Sequence, residues 1–181
     1  PYAIRARLAL QQSAIPVTIE EIDLKAKPKH FLELSPKATV PVLVIDDKTI
    51  IEESIQIVEW AESQSTSSWP IDLLEKTNLI EKLHDTFIPA LNRLKYPNRF
   101  ESVDQTQNEQ NLNIFISSFD EKIIQSEPNQ LISKTELLIL PFIRQLEQAA
   151  PGWLDSKHYT KTSQWLTEQL STNNFKTIMA K

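Results

Sequence analysis

The feature that most constrains this chain is the run Leu34-Ser35-Pro36-Lys37-Ala38-Thr39-Val40-Pro41-Val42-Leu43-Val44, where a proline stands at the mouth of an otherwise apolar strand. A proline at a strand start removes one ladder donor, which leaves the backbone before it free to pair with something outside the sheet. Val40 is that residue. A trans Val40–Pro41 bond would simply open an edge strand. A cis bond would turn the chain sharply and present the Val40 N–H and C=O to an extended peptide.

The flank downstream bears on that choice. After Ile50 and Ile51, the spacing of Ile55, Ile57, Val58 and Ala61 predicts a helix, which puts Glu53 and Ser54 at its N-terminus. Unsatisfied N–H groups there favour an anionic ligand, the Ser54 hydroxyl can donate to a carboxylate, and Glu53 can accept from an ammonium. This chemistry suits a free amino-acid head group, and with Val40 alongside it suits a small peptide with a zwitterionic end. Ordinary helix capping and dipole compensation would explain Glu53 and Ser54 equally simply.

The block Ser-Pro-Lys-Ala-Thr-Val-Pro-Val-Leu, followed by Glu-Ser at the next helix, resembles the glutathione-binding half of the glutathione S-transferase superfamily. Leu24 to Phe31 ahead of it is most similar to omega-like and related bacterial members. The resemblance implies that Pro41 is cis and that the Val40 backbone pairs with the cysteinyl unit of glutathione. It further implies that Glu53 and Ser54 hold the γ-glutamyl end and that Lys27 reaches the glycyl carboxylate. Taken without the family, Lys27 is an ordinary surface lysine.

Pro1 to Arg7 reproduce, from the proline onward, the family motif Cys-Pro-Phe/Tyr-Ala-x-Arg-x-Arg, so the catalytic residue is expected immediately before Pro1, outside the sequence. Cysteine there would be a thiolate at neutral pH, because a helix N-terminus lowers its pKa. Serine would instead donate to the thiolate of bound glutathione. The periodicity of Tyr2 to Gln12 predicts a helix with Pro1 at its first position, Ile4, Leu8 and Ile15 facing a core, and Arg5 and Gln12 facing away. A chain that opens at such a point reads as a fragment whose first strand has been cut away.

With that strand restored, the order is thioredoxin-like. A strand is expected over Val17–Asp23, a short helix over Lys27–Leu34 with Phe31 and Leu34 inward, and a hairpin of Val42–Ile45 and Thr49–Ile51 turning at Asp46-Asp47-Lys48. The polar run Ser63 to Pro70 reads as a linker. The expected organisation is therefore an α/β thioredoxin-like domain over 1–64 lacking its first strand, a linker over 65–71 and an all-α helical domain over 72–181.

In the helical part, Asp72–Lys95 carries apolar residues at Leu73, Leu79, Ile80, Leu83, Phe87, Leu91 and Leu94, with a kink expected at Pro89. A second helix starts near Ser102 or Asp104 and runs to about Gln125, with Leu112, Phe115, Ile116, Phe119 and Ile123 as its core face. Ser133-Lys134-Thr135-Glu136 ahead of an apolar run is a capping box. A last helix spans Lys157–Asn173, and Phe175–Lys181 is expected to be a frayed end.

Composition narrows the function. The 181 residues carry a net charge of −5 with no Lys/Arg-rich block, which argues against a nucleic-acid surface. No apolar run approaches the ~18 residues of a membrane span, and no leader is visible, so a cytoplasmic protein is expected. Cysteine is absent, and His30, His84 and His158 lack companions at ligand spacing, so no metal is expected. The single glycine, Gly152, excludes Gly-rich phosphate loops.

The resemblance implies a glutathione transferase with glutathione as co-substrate. It would act on a small electrophile by conjugation, or on a disulfide as an omega-type thiol transferase or dehydroascorbate reductase, and would form a homodimer. Tyr2, His84 and Phe87 are candidates for the second-substrate pocket, although core packing explains Phe87 as well. The competing expectation is a non-catalytic binding or scaffold protein on the same fold.

Overall fold

The computed structural model describes residues 1–46, 48–123 and 130–180. The Asp47 position of the hairpin turn, the Gln125 end of the second long helix and the terminal Lys181 lie outside the described residues. The chain separates into two compact units, one of Pro1–Trp69 with the residues from Thr177 onward, the other of Pro70–Lys176.

The first unit is α/β. Helix α1 (Tyr2–Gln12) is built from good helix formers, and Pro1 sits at its N-cap rather than at its first helical position: the Arg5 N–H donates to the Pro1 carbonyl. The helix ends with Ala14 in the left-handed region (φ 54°), and the Ile15 N–H returns to the Leu10 carbonyl in a Schellman-type stop. Helix α1 packs on α3 (Ser54–Gln64), which buries Ile57, Val58 and Ala61 and leaves Ile55 half-buried.

Burial on α1 departs from the expected face. Arg5 and Gln12 are buried along with Leu8 and Ala9, whereas Ile4 and Ile15 are only half-buried. Positions 5, 8, 9 and 12 share one helical stripe, so the buried face is set by Leu8 and Ala9 and carries two polar residues with it.

Strands β1 (Leu43–Asp46) and β2 (Thr49–Ile51) form an antiparallel hairpin in which Leu43 faces Ile51 and Val44 faces Ile50. The Asp46 carboxylate accepts from the Lys48 and Thr49 N–H groups, both at 2.8 Å, and closes the turn. The segment Val17–Asp23 is not a strand: among the described residues only β1 and β2 pair, and Val17 and Ile19 are exposed. β-branched alternation reports fitness for a pleated, half-buried surface, and this segment has no ladder partner. The short helix is α2 (Lys29–Leu34); Phe31 is buried, but Leu34 is exposed instead of facing inward.

The second unit is all helical. A 3₁₀ turn at Glu75–Thr77 leads to α4 (Leu79–Lys82), a π-helical turn at Leu83–Phe87 and α5 (Ile88–Lys95). The helix therefore starts later than Asp72, and Leu73 is exposed. Irregularity falls in the turn preceding Pro89, which has no N–H to return to Asp85.

Asp104 caps α6 (Gln105–Lys122) by accepting from the Gln107 N–H at 3.0 Å, and Leu112, Phe115, Ile116, Phe119 and Ile123 are all buried. The capping box of α7 (Lys134–Ala149) is formed: Ser133 Oγ accepts from the Glu136 N–H, and the Glu136 carboxylate accepts from the Ser133 N–H. Its other oxygen accepts from the indole N–H of buried Trp165 at 3.0 Å.

Between α7 and α8 (Trp153–Ser156), Gly152 holds φ 77°, and the Glu147 carboxylate accepts from the Gly152 and Leu154 N–H groups. A left-handed position facing this turn gives the lone glycine a structural role. Helix α9 (Thr160–Ser171) buries Trp165 edge-on to Phe119, with ring centroids 4.9 Å apart. The expected frayed end is instead helix α10 (Asn173–Met179), whose residues from Thr177 onward count with the first unit; Phe175 and Ile178 are buried.

Candidate functional site

The Val40–Pro41 bond is cis. Among the described residues neither the N–H nor the C=O of Val40 has a hydrogen-bond partner, and Val40 and Pro41 are half-buried. The turn ahead of them is closed by the Ala38 N–H donating to the Ser35 carbonyl at 2.8 Å, with Ala38 left-handed at φ 53°.

Two polar ties hold this turn against the chain entering α3. Ser35, fully buried, donates its hydroxyl to Glu52 Oε1 at 2.5 Å, and the Lys37 ammonium donates to Glu53 Oε1 at 2.8 Å. The Ser35 and Glu52 side chains thus brace one side of the turn, and Lys37 and Glu53 brace the other. The hydrogen bond to Glu53, followed by the negative charge of that carboxylate, raises the Lys37 pKa above the usual lysine value.

Glu53 is the N-cap residue of α3 but makes no side-chain capping bond, so the N–H groups of the first helical turn are not closed off by a cap. Ser54 is buried, and among the described residues its hydroxyl makes no hydrogen bond. An unengaged backbone edge at Val40, open helix N–H groups, an uncommitted hydroxyl and a carboxylate are thus gathered within one local arrangement. These groups are of the kinds that pair with an extended peptide whose end carries both an ammonium and a carboxylate.

Of the residues singled out from the sequence, Val40, Pro41, Glu53 and Ser54 belong to this arrangement. Lys27 is half-buried in the stretch before α2, and among the described residues no ion pair joins it to them. Tyr2 lies on α1 and is exposed; its ring stands 5.7 Å from the guanidinium carbon of buried Arg5. Burial lowers the Arg5 pKa to about 10, partly offset by the charge of Tyr2. In the helical unit His84 is half-buried, and Phe87 is fully buried with its ring 4.6 Å from that of Phe115.

Sequence reasoning missed Ser35, Lys37 and Glu52 as partners in the site. Ser35 and Glu52 are 17 residues apart, so only the doubling back of the chain reveals them. Among the described residues no group of three His, Cys, Asp or Glu side chains could hold a metal ion, and no helix is long and apolar enough to cross a membrane.

Residues 1–64 match the family model of the glutathione S-transferase N-terminal domain. A probable glutathione S-transferase from Oryza sativa subsp. japonica, named DHAR2 and chloroplastic, is 28% identical over 154 residues, covering 82% of this chain and 53% of its own length. The matches span from 35% to 66% of the lengths of three such curated relatives.

Among solved structures, glutathione transferase Omega 3C from Trametes versicolor superposes with a TM-score of 0.75 at 16% identity, covering 100% of this chain and 85% of that one. Dehydroascorbate reductase from Chlamydomonas reinhardtii gives 0.74 at 19% identity, covering 99% and 84%. The fold is the glutathione transferase fold, an α/β thioredoxin-like unit with a small antiparallel sheet followed by an all-helical unit. The N-terminal domain model, the curated relatives and the structural neighbours together support the glutathione S-transferase superfamily.

Proposed function

We propose that this chain binds glutathione in its α/β unit and serves a glutathione-dependent transferase, either conjugating an electrophile or exchanging thiols with a disulfide as omega-type enzymes and dehydroascorbate reductases do. The observation that carries the reading is the juxtaposition of the cis Val40–Pro41 turn, its Val40 backbone unpaired, with the uncapped start of α3 at Glu53 and Ser54. The domain match over residues 1–64 and the activities of the relatives support it.

In this reading the Val40 N–H and C=O pair with the cysteinyl unit as a strand would, fixing where the sulfur lies. Glu53 accepts from the γ-glutamyl ammonium, while Ser54 and the first N–H groups of α3 donate to its carboxylate. Lys27 takes the glycyl carboxylate. Turnover depends on the thiol-activating position that the family motif places ahead of Pro1; the residues described here account for holding and orienting the tripeptide. A symmetric homodimer is the proposed assembly and the cytoplasm the proposed compartment.

The test is calorimetric titration with glutathione. Saturable binding is expected, weakened by about 1.5 to 3 kcal/mol in Ser54→Ala, the range for a charge-assisted hydrogen bond. Absence of binding at millimolar glutathione would favour a scaffold protein that keeps only the fold. A monomer mass at micromolar concentration would refute the dimer.

A further inference from the structure

The Lys37–Glu53 pair stands where the proposed head-group site needs Glu53. Both side chains are more than half exposed, at 55% and 60%, and their charged atoms are 2.8 Å apart. A ligand ammonium arriving at Glu53 would therefore meet a second ammonium already there. Glu52 lies beside them, its Oε1 engaged by Ser35, so the local charge is two carboxylates and one ammonium.

A ligand with only a positive end would compete with Lys37. One with only a negative end would find donors in Ser54, the first N–H groups of α3 and Lys37, but would bring no ammonium to the carboxylates of Glu52 and Glu53. An α-amino-acid head group satisfies both sides, because its ammonium and carboxylate sit on one carbon and can pair in opposite sense with Glu53 and Lys37. A carboxylate has several lone-pair positions, so Glu53 can accept from the ligand while Lys37 turns to the ligand's carboxylate.

Resting on the glutathione-binding reading above, we infer that Lys37 is a specificity-determining residue of the head-group site: it opens its pair with Glu53 to bind the α-carboxylate of the γ-glutamyl end. The ion pair is the resting form of a zwitterion-selective latch. The stem of Lys37 is exposed and long, so the exchange moves one side chain and leaves the Ser35–Glu52 tie in place. Without Lys37 the ligand carboxylate would lie against uncompensated like charge.

The experiment titrates the wild type and Lys37→Met, Lys37→Arg, Glu53→Gln and Ser54→Ala with three tripeptides. They are glutathione, its 4-aminobutanoyl analogue lacking the α-carboxylate, and its glutaryl analogue lacking the ammonium. Lys37→Met is expected to weaken glutathione and the glutaryl analogue by about two- to fivefold, the scale for a half-exposed charge pair. It should leave the 4-aminobutanoyl analogue unchanged or bind it more tightly, since a competing ammonium is gone. Lys37→Arg should restore glutathione binding.

Unchanged or tighter glutathione binding in Lys37→Met, with Glu53→Gln and Ser54→Ala still weakened, would overturn the role of Lys37 alone. If neither Glu53→Gln nor Ser54→Ala weakened glutathione, or if the wild type bound none, the head-group site would fall and this inference with it. An equal loss for all three tripeptides in Lys37→Met would mark a structural effect and also overturn it.

Discussion

Phe115, Ile116 and Phe119 of the helical unit are 0% exposed, whereas Val44, Ile45 and Ile50 of the hairpin in the α/β unit are 46%, 37% and 36% exposed. The helical unit is held by apolar burial, with its helix ends closed by Asp104, Ser133, Glu136 and Glu147. Around the candidate site, order rests instead on directed polar contacts: Ser35 to Glu52, Lys37 to Glu53, and Asp46 to the hairpin turn. Polar groups are spent on structure in one unit and left partly available in the other. Stability and ligand affinity should therefore respond to different substitutions.

The comparison would break first in the helical core. Phe115→Ala removes a fully buried ring that meets Phe87, and should cost about 3 to 5 kcal/mol in denaturant unfolding. A loss under 1 kcal/mol would mean that this interior does not carry the unit. Next in size is Glu136→Ala, which removes half of the capping box and also the acceptor of the Trp165 indole N–H. About 2 to 3 kcal/mol is expected, combining a lost cap with an orphaned buried donor. Ser133→Ala removes the other half of the box but leaves the indole bond; about 1 kcal/mol is expected, and equal losses in the two variants would deny the indole bond its weight.

The smallest effect is at the hairpin turn. Hydrogen bonds from Lys48, then from Thr49, hold the Asp46 carboxyl below its ordinary value of 3.8. A depressed folded-state pKa contributes stability that is present above the ordinary value and is lost as pH falls through the depressed one. The Lys48 and Thr49 amide resonances should therefore shift together in acid, below about pH 4. Asp46→Asn should abolish that shift, and a shift that persisted in it would assign the titration to another group.

Much of the helical unit was legible in the sequence because its signals are local. The core face of α6 follows from the spacing of Leu112, Phe115, Ile116 and Phe119, and the α7 start from serine and glutamate three residues apart. The hairpin and the α3 start were readable for the same reason. Non-local facts were not. Val17–Asp23 has the composition of a strand, but a strand needs a partner, and none pairs with it among the described residues. Burial of Arg5 and exposure of Leu34 and Leu73 depend on which stripe of each element meets a neighbour. Ser35 and Lys37 became part of the site only when the cis turn was seen folded against Glu52 and Glu53. The π-helical turn before Pro89 was foreseen only as a kink.

The central claim is that the α/β unit binds glutathione through the Val40 backbone and the start of α3. Its most direct test is amide hydrogen exchange of the 181-residue chain with and without millimolar glutathione. The account predicts slowed exchange at Val40 and over the first turn of α3 from Ser54, with α6 and α7 unchanged. No change at Val40 and Ser54, with or without protection elsewhere, would contradict it.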